Sequence, residues 1–218
     1  MKHKANDKSR HDARPALRHL RRADPKLAKL IAGVGPCRLE FMPMRSPFHS
    51  LLRAITYQQL SGKAAATILS RVVALFPEES GPHPAALLDI PDTALRGAGL
   101  SRNKLLALKD LAAKTLDGTV PDAKGLKRMP DAEVIERLTE VRGVGRWTVE
   151  MLLIFTLGRP DVLPVTDLGV RKGFQQVYGM KRLPAFSTLE RAGRAWAPYR
   201  SIAAWYLWRA ADDPDAVW

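Results

Sequence analysis

Cysteine is almost missing from this 218-residue chain; Cys37 stands alone. A single thiol excludes an internal disulfide and any four-cysteine zinc or iron–sulfur site. Histidine is sparse as well. Its five copies sit singly, three of them (His3, His11 and His19) within the first 22 residues, and none falls at a metal-ligand spacing. Long apolar runs are lacking too: nothing approaches the roughly 18 consecutive apolar residues that span a bilayer, so no membrane insertion is expected. No run sustains the alternation of a β-strand, and no internal repeat is present. Acidic residues are in deficit, 22 Asp and Glu against 35 Lys and Arg, for a formal net charge of +13. That imbalance favours a polyanionic partner, either nucleic acid or an anionic membrane face.

What is present reads as helices, in a length suited to one large domain or two small lobes. Residues 1–22, MKHKANDKSRHDARPALRHLRR, carry cations with no apolar run behind them. They are read as a solvated basic arm, disordered or touching phosphates, and not as a secretory signal. Ser46-Pro47 has the form of an N-cap followed by proline at the first helical position, with Phe48, Leu51, Leu52 and Ile55 as the buried stripe. That helix is expected to stop near Gln58-Gln59-Leu60. Ser61 and Ser101 cap two more, the second ending before Gly118. Thr166 is the expected cap of a helix whose inner face is Val170, Phe174 and Val177, stopped by Gly179. Ser187-x-x-Glu190 reads as a capping box, and a tryptophan-rich helix closes the chain from about Pro198. The fold expected is all-α, two helical lobes, with the chain's start and end packed together in one of them.

One stretch breaks the helical pattern in an informative way. Val134, Ile135, Leu138 and Val141 form an apolar stripe, and Trp147, Met151, Leu152 and Phe155 continue it, but Gly143-Val144-Gly145 stands between. Each glycine in a helix interior costs about 1 kcal/mol against alanine, so two of them one residue apart predict a break, with a hairpin motif over about 131–156. Such a turn leaves the first N–H groups of the second helix without partners. Glycine lets a ligand approach the backbone closely, and amides at the positive end of a helix dipole suit a phosphate.

The pattern L-T-E-V-R-G-V-G-R-W-T (Leu138–Thr148), followed by V-T-D-L-G-V (Val165–Val170), resembles the helix-hairpin-helix DNA glycosylases. A-I-T-Y-Q-Q-L-S-G-K-A-A (Ala54–Ala65), G-L-S-R-N-K (Gly99–Lys104) and the last helix make the chain most similar to the 3-methyladenine DNA glycosylase II branch. The resemblance covers most of the chain and gives one glycosylase domain over 23–218, without the extra N-terminal β domain of the larger bacterial members. It implies two helical lobes flanking a DNA-binding cleft, with a Gly/Pro-rich loop and a catalytic aspartate. It also implies a monomeric, cytoplasmic, nucleoid-associated enzyme acting on double-stranded DNA that contains alkylated bases. No cofactor follows from it. Relatives hold a monovalent cation on the hairpin carbonyls, and the sequence leaves that open here.

The resemblance assigns roles residue by residue. Asp167 is the catalytic carboxylate, stabilising positive charge on the sugar as the base leaves and orienting or deprotonating water. Trp147, Trp208, Met151 and Tyr57 would line the pocket for a flipped base, Met151 standing where better-known members have an aromatic. Trp205 is read as core. Arg142 (often proline in the family), Gly143, Gly145, Arg146 and Thr148 would contact phosphates. Gln58 and Gln59 would fill the hole left by the flipped base, Gln59 being the preferred wedge, with Leu100 near the opposite strand. Members that also cleave the strand carry an attacking lysine where this chain has Trp147, so no strand cleavage is expected. Two rivals stand beside this reading: a non-catalytic helix-hairpin-helix DNA-binding module, and a glycosylase for a deaminated base.

Overall fold

A computed structural model describes residues 12–77 and 81–213, and contains thirteen helices and no strand among the described residues. In chain order these begin with α1 (Arg14–Ala23), α2 (Pro25–Val34), α3 (Pro47–Tyr57) and α4 (Gly62–Val73). Next come α5 (Pro84–Asp89), α6 (Asp92–Gly97), α7 (Arg102–Leu116), α8 (Ala123–Arg128) and α9 (Asp131–Thr139). The last four are α10 (Arg146–Phe155), α11 (Leu168–Tyr178), α12 (Phe186–Gly193) and α13 (Arg200–Asp212). They form two compact units. One joins Met1–Met42 to Leu153–Trp218; the other is Pro43–Leu152.

The first unit packs the start of the chain against its end, as expected. Leu20, Leu27 and Ile31 are fully buried together with Trp196, Tyr206 and Leu207. Asp24 both starts and fastens this unit. Its Oδ1 accepts the N–H groups of Lys26 and Leu27, capping α2 behind Pro25, while Oδ2 receives the Tyr178 hydroxyl and the Trp196 indole N–H. Trp205 is buried, as its core assignment requires. Helices α11 and α13 lie so close that a Cβ on Gly173 would stand 1.8 Å from the Leu207 carbonyl oxygen. Only glycine permits that crossing.

The second unit is built on serine and aspartate caps. The Ser46, Ser61 and Ser101 hydroxyls accept the N–H groups of His49, Ala64 and Lys104, and the Asp122 carboxylate accepts that of Gly125. Those local competitors for backbone hydrogen bonds explain why each helix begins where it does. Leu51, Ile55, Leu108 and Leu111 are fully buried here, with Val134 and Leu138 of α9.

Several expectations are corrected. Residues 1–11 lie outside the described residues, but the rest of the supposed arm over 1–22 is ordered: α1 is a helix with Ala16 and Leu20 buried. Four residues apart, these two make one apolar line that the surrounding arginines hide from a compositional reading. Helix α11 is capped by Asp167, not Thr166, since the Asp167 side chain accepts the Val170 N–H. Ser187 and Glu190 form no capping box; α12 starts one residue before Ser187, behind Ala185, with no side-chain cap. The left-handed stop at Gly179 (φ 66°, ψ 35°) is as expected.

Candidate active site

Asp167 sits at the start of α11, about nine-tenths buried. Its Oδ1 accepts two N–H groups, from Val170 at 2.7 Å and from the Trp208 indole at 2.8 Å. The first bond is local and follows from the cap. The second reaches 41 residues along the chain to α13 and fixes the direction in which the carboxylate points. Trp208 is itself set by Phe155, whose ring stacks on it at 5.5 Å between centroids and 28° between planes. Gly169 makes this possible. A Cβ there would come within 2.8 Å of Trp208 Cδ1 and 3.1 Å of Asp167 Oδ1. The structure therefore gives Trp208 a task that its aromatic character does not reveal, that of orienting Asp167. Phe155 and Gly169 join the site although the sequence reading left them out. The available signal was Gly169-x-x-x-Gly173, two glycines one turn apart inside a helix.

In the second unit, the hairpin takes the form expected. Helix α9 ends at Thr139, α10 begins at Arg146, and Val141 and Val144 are buried beneath the turn between them. Gly143 has φ 75°, a conformation that side chains disfavour. Gly145 caps α10 through its carbonyl, which accepts the N–H groups of Thr148 and Val149. A Cβ at Gly145 would meet nothing within 4 Å. The turn's outer face is thus bare backbone. Arg142 and Arg146 flank it, both exposed; Arg146 pairs through Nε with buried Glu150 at 2.8 Å, one helical turn on.

Two expected contacts are withdrawn. Thr148 is buried at 8% exposure and its N–H is bonded to the Gly145 carbonyl, so its amide is not offered to a phosphate. Leu100 is 2% exposed and belongs to the core of its unit. The chain turns at Gly99 (φ 105°), and that turn sends Leu100 inward before Ser101 starts α7.

The two glutamines after α3 separate into different environments. Gln58 Nε2 donates to the Gly143 carbonyl at 2.9 Å, tying this turn to the hairpin. Gln59 is exposed with φ 55°. Tyr57 is half-buried, with the Arg53 guanidinium 4.1 Å from its ring centroid, and Met151 is half-buried on α10. Trp147, near the start of α10, is 47% exposed, an unusual amount of indole to leave at a surface.

An all-helical fold with a Gly-x-Gly hairpin and an oriented aspartate about twenty residues beyond it defines a class, and the comparisons agree. The chain belongs to the HhH-GPD superfamily base excision DNA repair proteins, whose family model matches residues 52–198. DNA-3-methyladenine glycosylase 1 of Schizosaccharomyces pombe is 37% identical over 186 residues, 85% of this chain and 81% of that protein. A structure of the Schizosaccharomyces pombe 3-methyladenine DNA glycosylase in complex with abasic DNA has a TM-score of 0.79 to this chain. It is 37% identical and covers 89% of this chain and 95% of that one. The DNA-3-methyladenine glycosidase of Bacillus halodurans gives a TM-score of 0.82 at 36% identity, covering 91% and 90%.

Proposed function

We propose that this protein releases alkylated purines, 3-methyladenine and 7-methylguanine, from duplex DNA by hydrolysis, leaving an abasic site and an intact strand. The observation that carries the reading is the Asp167 carboxylate, held by two N–H donors on one oxygen at the start of α11. As the glycosidic bond lengthens, positive charge develops on the sugar. A carboxylate already oriented stabilises that charge without reorganising, and can direct or deprotonate the attacking water. In a protein that only bound DNA the same aspartate would do no more than cap α11 and seat Trp208. The similarity to glycosylases named for 3-methyladenine supports the substrate class.

The remaining parts follow from the second unit. Backbone amides at the bare hairpin hold phosphate and carry no sequence information. Gln59, exposed at the tip of its turn, fills the space of the flipped nucleotide. The exposed indole of Trp147 offers a face to a cationic base, an attraction worth about 0.5–2 kcal/mol. Tryptophan at this position leaves no amine there for a Schiff base, and the protein acts as a monofunctional, monomeric enzyme on DNA in the cytoplasm. A monovalent cation on the hairpin enters no step.

Methylation at N3 of adenine or N7 of guanine places formal positive charge on the base and weakens its sugar bond. That suits a site with one oriented carboxylate and no general acid assigned beside it. Single-turnover rates on matched duplexes are expected to rank 3-methyladenine first, 7-methylguanine measurable, neutral hypoxanthine slower and undamaged bases last. Faster release of hypoxanthine or uracil than of 3-methyladenine would refute selection by charge.

The phosphate grip has its own test. Gly145→Ala meets no atom of the protein within 4 Å, so its effect reports on the ligand. It is expected to weaken binding to every duplex alike. With about five phosphates engaged, wild-type log affinity should fall against log salt with a slope near −4 to −5. An affinity indifferent to salt would contradict the grip.

A further inference from the structure

Helix α7 carries three polar side chains that the chemistry above does not use. Lys104 Nζ donates to the Thr56 carbonyl in the last turn of α3, at 2.6 Å. Asp110 Oδ2 accepts the backbone N–H of Arg142 at 2.7 Å. Lys114 donates to the Glu140 carbonyl and lies 3.4 Å from Asp110. One of these side chains therefore fastens the end of α3 and two fasten the hairpin backbone. The circuit is closed by Gln58, whose amide runs from the turn after α3 to the Gly143 carbonyl. Every member lies within Pro43–Leu152, inside one compact unit.

The residue next to this circuit in the chain is strained. Gln59 directly follows Gln58 and is the one non-glycine residue with positive φ among the described residues, at 55°. A left-handed conformation at a residue with a side chain persists only where neighbouring contacts impose it. Here Lys104 holds the Thr56 carbonyl and the hairpin holds the Gln58 side chain, three and one residues before it. The carbonyl of fully buried Thr56 is taken by α7 and the Gln58 amide by the hairpin, so both ends of this short stretch are tied to other elements.

We infer that α7 and Gln58 form one polar frame that locks the Gln59 turn to the phosphate-gripping hairpin, with Lys104 and Gln58 as positioning residues for base extrusion. The inference rests on the base-flipping function proposed above. When the hairpin seats on its phosphate, the frame carries Gln59 into the duplex at a fixed distance from that phosphate. A plug already held in its inserted shape loses no further conformational freedom on entry, which is the gain from preorganisation. Gln58 is then a strut and not a second wedge.

The test uses the full chain with Lys104→Met, Gln58→Leu, Gln59→Ala and the double variant Lys104→Met/Gln59→Ala. Each is given two substrates, one with 3-methyladenine paired in a duplex and one with the same lesion as a single-nucleotide bulge. Extrusion from the pair needs the plug; extrusion from the bulge breaks no pair. Single-turnover release by Lys104→Met and by Gln58→Leu is expected to be about tenfold slower than wild type on the paired lesion and within about twofold of it on the bulge. The salt slope of binding to undamaged duplex stays unchanged. The double variant is expected to be no slower than Gln59→Ala, because Lys104 acts through Gln59. Equal losses on both substrates, additive losses in the double variant, or no loss on the paired lesion would overturn the frame. Failure of the wild-type chain to release the base from either substrate would overturn the glycosylase reading, and the frame's purpose with it.

Discussion

Asp167→Asn is expected to fold and to bind duplex DNA as the wild type does, and to release methylated purines at least ~10²-fold more slowly. Asparagine keeps the side-chain oxygen that accepts the Val170 and Trp208 N–H groups, so the cap of α11 and the seat of Trp208 survive. What disappears is the negative charge. At 1.36 kcal/mol for each factor of ten, a hundredfold loss corresponds to about 2.7 kcal/mol of transition-state stabilisation. That is modest for an oriented ion next to a developing cation, and so sets a lower bound. Single-turnover release, circular dichroism and duplex binding on the same preparation separate chemistry from folding. A variant that turned over near the wild-type rate would remove the carboxylate from the mechanism.

Gly173→Ala is expected to be the most damaging single methyl in the first unit. Alanine is worth about 1 kcal/mol over glycine in a helix interior, so propensity alone would make the change stabilising. Geometry reverses the sign. The added carbon would stand 1.8 Å from the Leu207 carbonyl oxygen and 2.6 Å from its carbon, and backbone cannot swing aside as a side chain would. Helices α11 and α13 must move apart, and overpacking of this kind costs about 1–3 kcal/mol or more. At 2–4 °C for each kcal/mol in a domain of this size, a net loss near 3 kcal/mol lowers Tm by about 6–12 °C. Asp167 is on the N-terminal end of one of these helices and Trp208 is on the other, so the same displacement stretches their hydrogen bond and slows base release as well. Calorimetry beside single-turnover kinetics checks both. An unchanged Tm would mean that the close crossing is not what joins the two helices.

These features differ in how far the sequence revealed them. The hairpin was plain, because two glycines one residue apart cannot be reconciled with the apolar stripe on either side. The caps at Ser46, Ser61 and Ser101 were equally plain, since their hydrogen bonds span only three residues, whereas Ser187 has the same local pattern and caps nothing. The choice between Thr166 and Asp167 as cap of α11 could not be made locally. Both residues can accept, and the second N–H donor on Asp167 comes from Trp208, 41 positions away. Leu100 was misplaced for a related reason. Its motif resemblance said where it falls in the chain, while the turn at Gly99 decides which way it faces. In α1, Ala16 and Leu20 were masked by the arginines around them, and their burial depends on residues at the far end of the chain. The distinction between Gln58 and Gln59 likewise needed one bond across 85 positions. Local signals fixed the elements, whereas the division of labour among neighbouring side chains required the fold.

The most direct measurement is product analysis on one duplex carrying a single 3-methyladenine. The wild-type protein is expected to yield free 3-methyladenine in step with an alkali-labile abasic site, on a strand that stays unbroken until alkali or heat is applied, with no borohydride-trapped adduct. Asp167→Asn, bound to the same duplex, should yield almost none. Binding without base release by the wild-type protein would contradict the account.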